Sequence, residues 1–100
     1  MRRYPAFSMA VQREGVNRSL FVSKLLRQVL MHLHAGQWVG AHNLVQQDDS
    51  PLAAWLHGIV HIQEGDLEDA EYWYGKADRH FCSRGTLAEE LERFEAAMPD

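Results

Sequence analysis

Apolar residues recur at three- and four-residue spacing along most of this chain, which is the period of an α-helix. From about Arg18 to Ala35 they form one continuous stripe, made of Val22, Leu25, Leu26, Val29, Leu30 and Leu33. Gly36 interrupts the pattern, and a short second helix is predicted from Trp38 to about Gln47. No segment has the composition and alternation of a β-strand. The pattern therefore predicts an all-α fold.

The clearest pattern lies between Pro51 and Ala77, where two helices follow each other with only Gly65 and Asp66 between them. Ser50 is suited to the N-cap of the first helix, and Pro51 is suited to its first turn. The second helix is predicted to continue past Ala77, with a buried stripe formed by Leu67, Ala70, Tyr74, Ala77 and Phe81. Because the connection is so short, the two helices must be antiparallel neighbours.

A last helix is predicted after the break at Arg84 and Gly85. Thr86 and Glu89 have the T-x-x-E spacing of a capping box. Leu87, Leu91, Phe94 and Met98 form its apolar stripe, and four acidic side chains are expected to face solvent: Glu89, Glu90, Glu92 and Glu95. We interpret this segment as a C-terminal capping helix.

A weak internal repeat relates the two halves of the chain. The interval from Gly36 to Ala41 equals that from Gly65 to Ala70, and the two copies are offset by 29 residues. We therefore predict about five helices, arranged as two antiparallel helical hairpins with the capping helix. Residues 18–100 are expected to form this single domain, and residues 1–17 a partly ordered N-terminal arm or a frayed terminus.

Small and aromatic residues of the second hairpin resemble the pattern of a tetratricopeptide repeat. The matching positions are Gly58, His61, Gly65, Ala70, Tyr74 and Ala77. His61 replaces the usual aromatic residue, and Cys82 stands where the repeat often has proline. The match covers about a third of the chain. The run WLHGIVHIQEGDLEDAEYWYGKA also resembles a signature of small helical proteins without an established activity, so the resemblance implies a fold and names no reaction.

Composition excludes several classes of protein. Hydrophobic residues make up 46% of the chain, which argues against general disorder, and the net charge of −4 gives no basic surface for nucleic acid. The single cysteine, Cys82, excludes an internal disulfide framework and suggests a reducing, cytoplasmic location. No apolar run approaches the roughly 20 residues of a membrane span. We therefore expect no nucleic-acid or membrane partner.

Histidines are the main chemical lead. His57, His61 and Glu64 occur at i, i+4 and i+7, so they share one face of a helix. Two imidazoles one turn apart can ligate one metal ion, and Glu64 can add an oxygen ligand or act as a base. His42 reaches the same face if the hairpins stack, which would suit Zn²⁺ or Fe²⁺. This hypothesis requires the ring nitrogens of the three histidines to lie within about 6 Å of one another.

The alternative is that these histidines are neutral core residues that pack between helices. No nucleophile elbow, phosphate-binding glycine loop or Cys-x-x-Cys pair occurs, so an enzyme is not favoured. Trp55, Tyr72 and Trp73 are candidates for lining a groove that binds a ligand or partner, although Trp55 also fits the core.

Two functions follow from these patterns. The favoured one is a non-enzymatic interaction module that binds a partner protein or itself, with a homodimer as one expectation and no cofactor. Stacked repeats need about three copies to bury a continuous core, and this chain has fewer. The alternative is a metal- or small-ligand-binding protein, or an enzyme, that uses zinc or iron at His42, His57, His61 and Glu64.

Overall fold

Residues 15–99 are described by the computed structural model of the chain, with side chains from residue 21 onward. This part of the chain folds into five α-helices and one 3₁₀ turn and contains no strand. The helices are α1 (Gly15–His34), α2 (Trp38–Val45), α3 (Pro51–Glu64), α4 (Leu67–Lys76) and α5 (Leu87–Ala97), and the 3₁₀ turn is Phe81–Ser83. The predicted all-α fold is confirmed. Residues 1–14 of the predicted N-terminal arm lie outside the described part.

The helices pack as two hairpins. α1 packs against α2, and α3 packs against α4, as the short connections predict. α2 also packs against α3, so the first hairpin lies on the second, while α5 packs on α3. None of the described helices is both long and apolar enough to cross a membrane. α1 also contacts α3, so α3 is the helix that all four other described helices contact.

The core contains side chains from all five helices. Its largest fully buried members are Tyr74, Phe94, Leu26, Leu33, Leu56, Ile59, Val29, Val45 and Val60. The ring of Trp55 meets that of Phe94 edge-on, with centroids 5.0 Å apart, which joins α3 to α5. Burial of these apolar groups is the main source of stability, at about 25 cal/mol per Å² removed from water.

A close approach between α3 and α4 depends on Gly58. A Cβ atom at this position would lie 2.4 Å from Cδ1 of Tyr74 and 3.2 Å from the carbonyl oxygen of Ala70. Any side chain larger than hydrogen would therefore separate the two helices or displace the Tyr74 ring. The small residue at this position is what allows the two backbones to meet.

The predicted helix ends are confirmed at α3 and α5. The Ser50 hydroxyl accepts a hydrogen bond from the Ala53 N–H at 3.1 Å, and Pro51 is the first residue of α3. Gly65 follows α3 in a left-handed conformation, with φ 94°. At α5, Thr86 and Glu89 form the reciprocal hydrogen bonds of a capping box. These local signals place α3 and α5 correctly.

Helix α4 is shorter than predicted. It ends at Lys76 because Asp78 adopts a left-handed conformation, with φ 60°, which turns the chain away from the helix axis. Phe81 therefore lies in the 3₁₀ turn, where its ring meets that of Tyr74 edge-on. Leu67 is also not part of the buried stripe, since it is 47% exposed at the tip of the hairpin.

Candidate metal-binding site

Three imidazole rings meet where the two hairpins stack. His42 lies on α2, and His57 and His61 lie one turn apart on α3. The ring centroids are 4.9 Å apart for His42 and His57, 5.2 Å for His42 and His61, and 5.1 Å for His57 and His61. The i, i+4 spacing places His57 and His61 on one face of α3. The packing of α2 on α3 then brings His42 next to them.

The nitrogens of this three-histidine cluster converge. One ring nitrogen from each of His42, His57 and His61 lies within 4.8 Å of the other two. His57 and His61 are buried and His42 is half-buried. The geometric condition that the metal hypothesis set is met.

Glu64 contacts the cluster through His61. Its Oε1 lies 2.8 Å from Nδ1 of His61, which leaves Nε2 of that ring free to ligate a metal. Carboxylates in this position fix the orientation and tautomer of a metal-binding histidine. Glu64 therefore takes a supporting position behind His61. His61, Glu64 and Asp66 also form a second, more exposed group of potential ligands.

The surroundings keep at least two of the rings neutral. Burial, together with repulsion from His42 and His61, lowers the pKa of His57 to about 3. Burial also lowers the pKa of His42, as does His61, while Glu64 and Asp69 act in the opposite direction. Neutral imidazole is the form that binds metal ions.

No protein-family model, curated protein or solved structure matches this chain. The function of the site must therefore be inferred from the chemistry of its own residues. Among the described residues, neither His42 nor His57 forms a side-chain hydrogen bond, whereas His61 has Glu64. Two imidazoles of the cluster thus have ring nitrogens that form no hydrogen bond with the described part of the chain.

Two of the three predicted groove aromatics lie beside the cluster. The Trp73 ring stacks on His57 with centroids 3.8 Å apart, and Tyr72 meets Trp73 edge-on at 5.4 Å. Tyr72 is 59% exposed. Trp55 is not accessible in this way, because it is 3% exposed and packed against Phe94.

The solvent-facing assignment of Glu90 is wrong. Its side chain is buried, with 2% of the residue exposed, and it accepts hydrogen bonds from the Tyr74 hydroxyl, the Trp55 indole, the Gly85 amide and the Arg93 guanidinium. These donors stabilise a buried carboxylate in place of water. The sequence does contain a signal for the burial of Glu90, which is its spacing from the apolar residues of α5. Glu90 lies three residues after Leu87 and four before Phe94, which puts it on the apolar face of α5.

Proposed function

We propose that this protein binds a divalent transition-metal ion, with zinc as the best fit, through His42, His57 and His61. The observation that carries the proposal is the convergence of three ring nitrogens within 4.8 Å of one another at the packed junction of two hairpins. The ligands come from two helices, so the ion would join the first hairpin to the second.

The spacing suits a tetrahedral ion after a small adjustment. Zinc–nitrogen bonds of about 2.0–2.1 Å put the nitrogens of a tetrahedral site about 3.4 Å apart. Nitrogens separated by up to 4.8 Å reach that distance through small rotations of the imidazole side chains.

Packing between helices leaves ring nitrogens of the cluster without a hydrogen bond. A neutral imidazole has one donor and one acceptor nitrogen. His57 is 5% exposed and has no side-chain hydrogen bond among the described residues, although the fully enclosed unpaired side-chain atom among them is Oε1 of Gln63 and not a histidine nitrogen. A metal ion would engage the acceptor nitrogens that the described part of the chain leaves without a partner.

The ligand set favours zinc over iron. Three imidazoles suit Zn²⁺, whereas non-haem Fe²⁺ sites commonly combine two histidines with a carboxylate. The nearest carboxylate, Glu64, is already hydrogen-bonded to His61. Three protein ligands leave a fourth position for water or for a group from another molecule.

The direct test is elemental analysis and calorimetric titration of untagged protein purified without chelator. We expect about one zinc ion per chain, because three histidines complete one site. His42→Ala and the double variant His57→Ala/His61→Ala should lose that ion. His80→Ala is the matched control, since His80 is exposed and outside the cluster.

A second variant keeps the test decisive if loss of a buried histidine disturbs folding. Glu64 is exposed, so Glu64→Gln should leave the fold intact while weakening zinc binding about 10- to 100-fold through loss of its support to His61. Absence of bound zinc in the wild type, even with excess ion added, would refute the proposal. Equal zinc content in His42→Ala would also refute it.

A second candidate function is self-association, which the exposed Tyr72 beside Trp73 favours. The likeness of the second hairpin to a tetratricopeptide repeat supports an interaction role, and two hairpins are fewer than such arrays need. Light scattering over a range of concentrations tests it. We expect a dimer in the wild type and a shift toward monomer in Tyr72→Ser. A wild-type protein that is monomeric throughout would contradict it.

A further inference from the structure

A polar cavity of about 270 Å³ lies between the end of α4, the 3₁₀ turn and α5. It shares no lining residue with the three-histidine cluster. Three arginines line it, Arg79, Arg84 and Arg93. Such a concentration of guanidinium groups in one small cavity requires a chemical explanation.

Two of these guanidinium groups are held in place by aromatic rings. The guanidinium carbon of Arg79 lies 3.5 Å from the centroid of the Trp55 ring, and that of Arg84 lies 3.8 Å from the centroid of Phe81. Arg84 also donates a hydrogen bond to the Phe81 carbonyl oxygen at 3.1 Å. Stacking fixes the plane of a guanidinium and leaves most of its N–H groups available to a ligand.

The charges of the cavity are not balanced by its own carboxylates. Arg93 pairs with Glu90 at 2.7 Å, and the remaining acceptor positions of Glu90 are occupied by Tyr74, Trp55 and Gly85. Within residues 21–99, neither Arg79 nor Arg84 forms an ion pair. Three arginines against two carboxylates, Glu90 and Asp78, leave one positive charge.

We propose that this cavity binds a small phosphorylated ligand through Arg79 and Arg84. The planar guanidinium fork matches two oxygens of a phosphate group, and an anion suits a cavity that has one net positive charge and two arginines without an ion pair in the described part of the chain. The volume is slightly below the roughly 300 Å³ at which drug-sized ligand pockets begin, which favours inorganic phosphate or a compact phosphomonoester over a nucleotide. The His80 ring, on the same wall, offers a further nitrogen for hydrogen bonding.

The experiment is an amide NMR titration of the full chain, first with inorganic phosphate and then with glycerol phosphate. Added chloride salt keeps the ionic strength constant during the titration. A chelator removes metal ions that could themselves bind phosphate. We expect saturable shifts of the Ser83 and Gly85 amides. Arg79→Gln and Arg84→Gln should each bind about tenfold more weakly, because each loses a charge-assisted hydrogen bond. Tighter binding of glycerol phosphate than of phosphate would identify an ester as the ligand.

Arg27→Gln is the matched control, because it removes the same charge from an exposed site whose guanidinium donates to the Pro99 carbonyl oxygen. It should bind phosphate as the wild type does. Asp78→Asn should tighten binding a few-fold by removing a negative charge from the cavity wall. Shifts that do not saturate, or that weaken equally in Arg27→Gln and Arg79→Gln, would overturn the proposal. If Arg79→Gln does not fold, Arg79→Lys keeps the charge, loses the planar fork and should still bind more weakly.

Discussion

The carboxylate of Glu90 connects four parts of the molecule. Its donors come from α3 (Trp55), α4 (Tyr74), the loop before α5 (Gly85) and α5 itself (Arg93). Hydrogen bonds to a charged group are the stronger ones in proteins. A single side chain therefore holds the C-terminal helix against the second hairpin.

We expect Glu90→Gln to lower the free energy of unfolding by about 2–3 kcal/mol. The carboxylate accepts from its four donors through two oxygens, whereas the glutamine amide has only one acceptor oxygen. Urea denaturation measures this. Glu92→Gln is the matched control, since Glu92 is exposed on the same helix and should change stability little. Equal stability of the two variants would contradict the role given to Glu90.

The same residue predicts a pH dependence. Burial alone would raise the pKa of Glu90, but hydrogen bonds from Tyr74, Gly85, Trp55 and Arg93 outweigh it and lower the pKa below the ordinary value. Its stabilising effect is therefore complete above the unfolded-state pKa of about 4.3 and is lost as pH falls through the lower folded-state pKa. The gap between the urea midpoints of wild type and Glu90→Gln should be constant from pH 7 to 5 and should narrow below pH 4.3.

Replacing each of two glycines of the second hairpin by alanine should change the stability in opposite directions. Gly58→Ala should destabilise the protein by about 1–3 kcal/mol through overpacking against Tyr74, although alanine favours helix. Gly75→Ala on α4 should instead stabilise it by about 0.5–1 kcal/mol, because nothing lies within 4 Å of the added Cβ. Thermal unfolding compares them. A stabilising Gly58→Ala would show that the close approach of α3 and α4 is unimportant.

At the scale of elements, three helices end with the same hydrogen bond. The amides of Gln37, Asp66 and Arg79 each donate to a carbonyl five residues earlier, and each follows a left-handed residue. That residue is Gly36 after α1 and Gly65 after α3, but it is Asp78 after α4. The third ending uses a residue with a Cβ where the other two use glycine.

Asp78→Gly should therefore raise the free energy of unfolding by about 0.5–1 kcal/mol, because glycine adopts the left-handed conformation without steric cost. Gly65→Ala should do the reverse, since it puts a Cβ into that conformation. Chemical denaturation of both variants checks the pair. A loss of stability in Asp78→Gly would mean that the carboxylate stabilises the turn by more than its backbone costs.

Element boundaries could be predicted where a local group determines them. The Ser50 cap, the Gly65 turn and the Thr86–Glu89 capping box act within a few residues, so sequence spacing was sufficient to find them. The early end of α4 was missed because aspartate is not the usual left-handed residue, and the apolar spacing continues to Phe81. Burial of Glu90 was missed because its donors come from three other segments of the chain.

Only part of the three-histidine cluster could be predicted from local sequence spacing. His57 and His61 share a face by helical spacing alone. The third ligand, His42, depends on how α2 packs on α3, which no local spacing specifies. The arginine cavity was not predicted at all, because Arg79, Arg84 and Arg93 meet only after the chain turns twice between α4 and α5.

At the scale of the whole molecule, a metal at the three-histidine cluster would link the two hairpins. Zinc at about 100 times its dissociation constant should raise the free energy of unfolding by about 2.7 kcal/mol. Thermal unfolding with zinc and with chelator measures this difference. In His42→Ala the difference should vanish, because the remaining ligands lie on α3 alone. A full zinc effect in that variant would place the ion elsewhere.

The stack of Trp73 on His57 gives the protein an internal optical probe. With ring centroids 3.8 Å apart, the emission of this indole depends on the electronic state of the imidazole beneath it. Trp55 is shielded in the core, so Trp73 is the better placed of these two fluorophores to respond. Replacing Trp38 and Trp55 by phenylalanine would isolate its signal. Ion binding at His57 could then be followed in real time, without a label, from the intensity and lifetime of a single tryptophan.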